Sequence, residues 1–238
     1  MSTIYLIRHG QAGARDNYDL LSDLGKEQAD LLGRHLASQE MEFSSVLCGG
    51  MNRQRLTAEI ACRAIRHSGA GHPDVLSDDR WNEFSLASVY RALAPRLCEE
   101  DSAFAADLAA MQEAILADPH TTRGPVGRCD AAMVRAWIEN RYPDYEGESW
   151  HSFSSRIRDC FSDLARQEDN AVVAVFTSAT PITILAGAAL DLSGTELLKI
   201  AGVLYNSSVT VIRQSASGNR LITFNSVAHL PARSRTFR

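Results

Sequence analysis

Short apolar runs alternate along this chain with longer stretches of helical periodicity. Residues 3–9, TIYLIRH, are apolar and β-branched up to an abrupt cationic end, the pattern of a buried strand. A polar stretch follows, and then Leu24, Leu31, Leu32 and Leu36 fall on one face of a helix predicted over about 24–38, with Ser22 as its N-cap. FSSVLC (43–48) reads as a second strand stopped by Gly49-Gly50, 51–67 as a second helix ended by Ser68-Gly69, and PDVLSDD as a short third strand. Alternation of the β-α-β-α-β kind predicts a parallel sheet with helices on both faces.

The rhythm breaks over about 86–146. Two helical stretches, near 100–117 and 129–141, flank the loop DPHTTRGPVG, and the segment reads as a helical insertion in a single domain spanning 1–238. The pattern then resumes. Trp150, Phe153, Ile157, Phe161 and Leu164 keep helical spacing behind Ser149, and read as core. AVVAVFT (171–177) is continuously apolar, as a strand covered on both faces must be. Thr180-Pro181 opens another helix with proline at its first position, and VLYNSSVTVIR and RLITFN form an edge hairpin around Ser217-Gly218-Asn219.

Composition narrows the function classes. A formal net charge of −5 with no long run of either sign argues against a nucleic-acid binder. No segment approaches the ~18 consecutive apolar residues of a membrane span, and MSTIYLIRHG lacks the features of a signal peptide. Cys48, Cys62, Cys98, Cys129 and Cys160 are scattered and odd in number, which favours free thiols in a reducing, cytoplasmic setting. No C-x-x-C or H-x-x-x-H pair is present, so neither a metal nor a cofactor is expected.

In a parallel sheet, ligands gather at the carboxyl ends of the strands. Here the first strand ends in Arg8, His9 and Gly10. The second leads into the helix carrying Arg53 and Thr57, and the 171–177 strand ends in Thr177, Ser178 and Thr180 beside a helix N-terminus. Two arginines, hydroxyls and free backbone N–H groups suit a phosphate. A neutral His9 ring held at one nitrogen can attack phosphorus with the other, giving a phosphohistidine, and Arg8 and Arg53 favour the neutral ring.

LIRHGQ, the later R-Q-R-L-T-A (53–58), the segment YDLLSDLGKEQADLLG (18–33), GES (147–149) and His229-Leu230 together resemble the histidine phosphatase superfamily, in its phosphoglycerate-mutase-like branch. The resemblance implies a three-layer α/β/α fold with a mostly parallel sheet and the insertion over the active site. It also implies His9 as phosphoacceptor, Arg8 and Arg53 as phosphate ligands, and Glu83 in RWNEF as proton donor. One position departs from the pattern. Where the family carries a second histidine followed by glycine, this chain has Ser178-Ala179. Serine still donates a hydrogen bond but carries no charge, and losing one transition-state donor costs about 2.7–4 kcal/mol.

The expected reaction is therefore hydrolysis of a small phosphorylated substrate, slowed by Ser178, with Thr57 as a further phosphate contact. A phosphomutase and a non-catalytic phospho-ligand binder are the alternatives. A serine-hydrolase elbow at Ser178 is rejected, because Phe176 and Thr180 stand where G-x-S-x-G needs glycine. His229 is open between pocket and core. The basic tail PARSRTFR is open between a disordered segment and a cover over the pocket. Oligomeric state is unreadable.

Overall fold

The computed structural model describes residues 1–69, 71–165 and 170–237, except the side chain of Asp16. Among them a six-stranded sheet runs in the order β3-β2-β4-β1-β5-β6. β1 (Ser2–Arg8), β2 (Ser45–Cys48), β3 (Val75–Ser77) and β4 (Val172–Thr177) are parallel, whereas β5 (Val209–Ser215) and β6 (Gly218–Ser226) add an antiparallel hairpin at one edge.

Pleat alternation divides the core. Ile4, Leu6, Val173 and Val175 point to one side, and Ile7, Ala174 and Phe176 to the other. The second side is covered by α1 (Asp23–Ser38) and α2 (Asn52–His67), through Leu32, Leu36, Ala58, Ala61 and Ile65. The first side packs α6 (Trp150–Leu164), α7 (Ala179–Ala188) and the helices of the 86–138 region. Ser22 caps α1 by accepting from the Gly25 N–H, and Ser149 caps α6 by accepting from the Ser152 N–H, as their positions ahead of apolar stripes require.

Three features differ from the sequence-based expectation. The segment over the sheet holds three helices, α3 (Leu86–Glu100), α4 (Ser102–Ala117) and α5 (Gly124–Ile138), not two. Ser85 and Asp101 cap the first two, and α3 tolerates Pro95 in its interior because Val89, Leu93, Ala94 and Leu97 are buried. Pro125 does not break the third helix; it sits in the first turn, where its missing N–H costs little. Finally, α7 starts at Ala179, which puts Pro181 third rather than first.

Register brings the strand ends together. Arg8 pairs with Thr177 across β1 and β4, and Cys48 with Phe176 across β2 and β4. The pairing continues one step further: His9 N–H donates to Thr177 O (2.9 Å) and Gly49 N–H to Phe176 O (3.0 Å). His9, Gly49 and Ser178 thus leave the sheet side by side.

Candidate active site

His9 is 1% exposed, and its two ring nitrogens have different partners. Nε2 lies 3.2 Å from Arg53 Nε, which can only donate, so Nε2 accepts. Nδ1 therefore carries the proton and donates to Gly10 O at 2.7 Å. The ring is a neutral imidazole of defined tautomer. Burial, then Arg53 and Arg8, hold its pKa well below the usual histidine value. Behind it, Ser207 N–H and Asn206 Nδ2 both donate to the His9 carbonyl. Gly10 is obligatory here, because a Cβ would stand 2.3 Å from Gly25 O.

The two arginines are held differently. Arg53 donates from Nη1 to Asp19 Oδ1 (3.1 Å) and lies 4.8 Å from the Tyr18 ring centroid. The 12–21 loop delivers both residues, closed by the Ala12–Leu21 bridge and a Ser22 N–H to Gln11 O bond. Arg8 donates from Nη1 to the carbonyls of Leu204 and Phe237, while its buried Nε has no acceptor among the described residues. A cationic donor aimed at no protein acceptor is what an anion site requires. Of the basic tail, whose last residue lies outside the described residues, Phe237 stacks on Tyr205, lines the cavity and accepts from Arg8 at its carbonyl.

Ser178 makes no capping bond to α7. Its Oγ instead accepts from Gln54 Nε2 at 2.8 Å, leaving its own proton for another acceptor. Gln54, fully buried, also donates to Trp81 O (3.3 Å), the same carbonyl that takes the Thr177 hydroxyl at 2.6 Å. Gly49 makes room for it: a Cβ there would stand 2.0 Å from Gln54 Oε1. Thr57 departs from its expected role. Its hydroxyl accepts from Gly10 N–H (3.0 Å) and donates to Arg53 O (2.7 Å), so its proton is engaged and it fixes the loop instead of facing an anion.

Glu83 is positioned by its neighbours. Trp81 is fully buried on one side, and on the other Phe84 stacks on Trp137 at 4.3 Å. The carboxylate accepts from Thr180 N–H (3.0 Å) at Oε2 and from Phe84 N–H at Oε1. Burial raises its pKa above the ordinary glutamate value, against the pull of the Thr180 N–H and Arg53. Glu83 lines the same cavity as Arg8, Arg53 and Thr180.

A family model described as histidine phosphatase superfamily (branch 1) matches residues 4–114 and 121–227. The chain belongs to the histidine phosphatase superfamily. Among curated relatives, the mitochondrial serine/threonine-protein phosphatase Pgam5 of Caenorhabditis elegans is 42% identical over 62 residues, 26% of this chain and 22% of that protein. The match thus spans about a fifth of the relative's length. Among solved structures, phosphoserine phosphatase of Entamoeba histolytica superposes with a TM-score of 0.62 at 18% identity, over 97% of this chain and 100% of that one. Phosphoglycerate mutase of Bacillus anthracis superposes at 0.61 and 18%, over 96% and 94%. At these identities the superpositions establish the α/β fold.

The fold brings the motif residues Arg8, His9, Arg53 and Ser178 and the expected Glu83 to one end of the sheet, with the Thr180 N–H among them; Tyr18, Asp19 and Gln54 had no role assigned from sequence. Gln54 lies inside the R-Q-R-L-T-A motif, and only its partner 124 positions away gives it a role. His229 bonds Ser207 Oγ at 2.9 Å and its ring lies 6.0 Å from the His35 ring; like the buried His9 and Ser178, it is not among the residues that line the cavity. No helix among the described residues is long and apolar enough to cross a membrane.

Proposed function

We propose that the chain hydrolyses phosphate monoesters through a phosphohistidine on His9. The observation that carries this reading is the neutral His9 ring, its proton held by Gly10 O and its Nε2 lone pair turned to Arg53. On binding, the phosphoryl oxygens replace Nε2 as acceptor for Arg53 Nε and satisfy Arg8 Nε, while Ser178 donates its free proton to a third oxygen. The released Nε2 lone pair attacks phosphorus, the P–O bond to the alcohol breaks, and Glu83 gives that oxygen its proton. Glu83, now a carboxylate, takes a proton from water as the water oxygen attacks phosphorus. The P–N bond breaks, returning neutral His9 and inorganic phosphate. The raised Glu83 pKa suits this alternation.

The chain is read as one domain with the α3–α5 region as an insertion that selects the substrate. Four of its five cysteines are buried and all are free thiols, which supports a reducing, cytoplasmic location. Serine at 178 favours one rival, a binder that holds phospho-ligands without turnover. Hydrolysis of 4-nitrophenyl phosphate by wild type, His9→Ala and Ser178→His is the test. Loss of turnover in His9→Ala supports the reading; equal rates in wild type and His9→Ala refute it. Phosphate or vanadate binding with no turnover of any ester establishes the rival.

A further inference from the structure

The cavity that begins at Arg8, Arg53 and Glu83 extends far past the space a phosphate needs. Its volume is about 1090 Å³. The walls away from the phosphate end come from α3, α4, α5 and the 197–202 segment, and include Leu86, Ala94, Leu108, Val134, Ile138 and Leu198. Trp150 packs on the core against Trp137 and Phe153, as its place in the stripe predicts, and its partly buried side chain also lines this wall.

The charged groups beyond the phosphate end are Arg15, Asp130 and Arg91. Arg15 Nη2 is paired to Asp130 at 2.6 Å, and the Tyr90 hydroxyl donates to the other Asp130 oxygen at 2.7 Å, which offsets the Arg15 charge; the buried Arg15 Nε and Thr183 Oγ1 on this wall have no hydrogen-bond partner among the described residues. Arg91 is exposed to solvent. Where the wall is Leu86, Leu108, Val134, Ile138 and Leu198, a substrate with many hydroxyls would set unpaired polar atoms against aliphatic side chains, a cost of roughly 1–3 kcal/mol for each such group. A hydrocarbon loses nothing there and gains by leaving water.

We infer that the leaving alcohol is hydrophobic: this chain's substrates are phosphate monoesters of alkyl or prenyl alcohols, their chains lying between α3, α5 and the 197–202 segment. The inference rests on the phosphatase reading and names its substrate class. The cavity is continuous with the side of the phosphate from which the alcohol departs, because Glu83, the group that protonates it, stands on that wall.

The test uses the full-length protein and a series of ethyl, butyl, hexyl and octyl phosphates below their micellar concentrations, with phosphoserine, 3-phosphoglycerate and a phosphothreonine peptide as polar comparators. Leaving-group chemistry is nearly constant along the alkyl series, so its slope reports burial. The expected kcat/KM rises about threefold per methylene, roughly 30- to 100-fold from butyl to octyl, and octyl phosphate exceeds every polar comparator. Val134→Glu is expected to flatten the slope; the wild-type series stands by itself if that variant does not fold. A flat or falling series, or any polar comparator matching octyl phosphate, overturns the inference while His9-dependent cleavage of 4-nitrophenyl phosphate leaves the phosphatase standing. Absence of turnover with every ester, 4-nitrophenyl phosphate included, defeats the phosphatase reading and the substrate class with it.

Discussion

Replacing Gln54 by methionine removes one polar head from a fully buried side chain while keeping its length. In the native site Gln54 Nε2 donates to Ser178 Oγ at 2.8 Å and to Trp81 O at 3.3 Å. The first bond fixes Ser178 as an acceptor toward Gln54 and so as a donor toward the substrate. Trp81 O keeps its shorter bond from the Thr177 hydroxyl, so the loss falls mainly on Ser178. A hydrogen bond of this kind is worth about 0.5–1.5 kcal/mol net, which converts to roughly two- to tenfold in kcat. Ser178→Ala removes the donor itself and is expected to cost roughly 10- to 100-fold, less than a charged donor would. If Gln54 is a positioning residue acting through Ser178, the double variant is no slower than Ser178→Ala alone. Steady-state kinetics on 4-nitrophenyl phosphate close the cycle, with circular dichroism to confirm folding. Independent sites add within about 0.3–0.5 kcal/mol. A double variant whose loss is the product of the two single losses refutes the orienting role.

Glu83→Gln is expected to lower kcat on an alkyl phosphate by about 10²–10⁴, but far less on 4-nitrophenyl phosphate, whose leaving group needs no proton; equal losses on both substrates argue against proton donation. Its pH profile follows from the raised Glu83 pKa: wild-type alkyl phosphate turnover falls as pH rises through that value, and Glu83→Gln loses this limb. Burial lowers the His229 pKa to about 4, so the folded state binds fewer protons than the unfolded chain between pH 4 and about 6.5. Stability is therefore lost as pH falls through that window, and His229→Gln, which can keep the Ser207 contact, is expected to flatten the fall in Tm measured by scanning calorimetry. Gly10→Ala pushes a Cβ to 2.3 Å from Gly25 O, and is expected to cost about 1–3 kcal/mol in urea denaturation and to lower turnover by disturbing the acceptor of the His9 proton.

The parts of this molecule that were legible from the chain are those that local rules govern. β1 and β4 announced themselves as apolar runs, and register alone then placed His9 beside Thr177 and Ser178. Ser22 and Ser149 caps were readable because a cap and its stripe lie within one turn. α3 escaped because Pro95 contradicts its local propensity, and burial of Val89, Leu93 and Leu97 overrides it. Side-chain roles followed the same division. Arg8 and His9 are placed by the strand that they end and follow, so their position at the sheet's rim follows from sequence. Thr57 looked like a phosphate ligand by residue type, but the approach of Gly10 turned its hydroxyl into a backbone brace. Asp19 and Gln54 gain meaning only from Arg53 and Ser178, which lie 34 and 124 positions away. The apolar wall is the extreme case. Leu86, Leu108, Val134 and Leu198 come from separate elements, each with a local pattern indistinguishable from core, and only their shared cavity with Glu83 marks them as wall residues as well as packing.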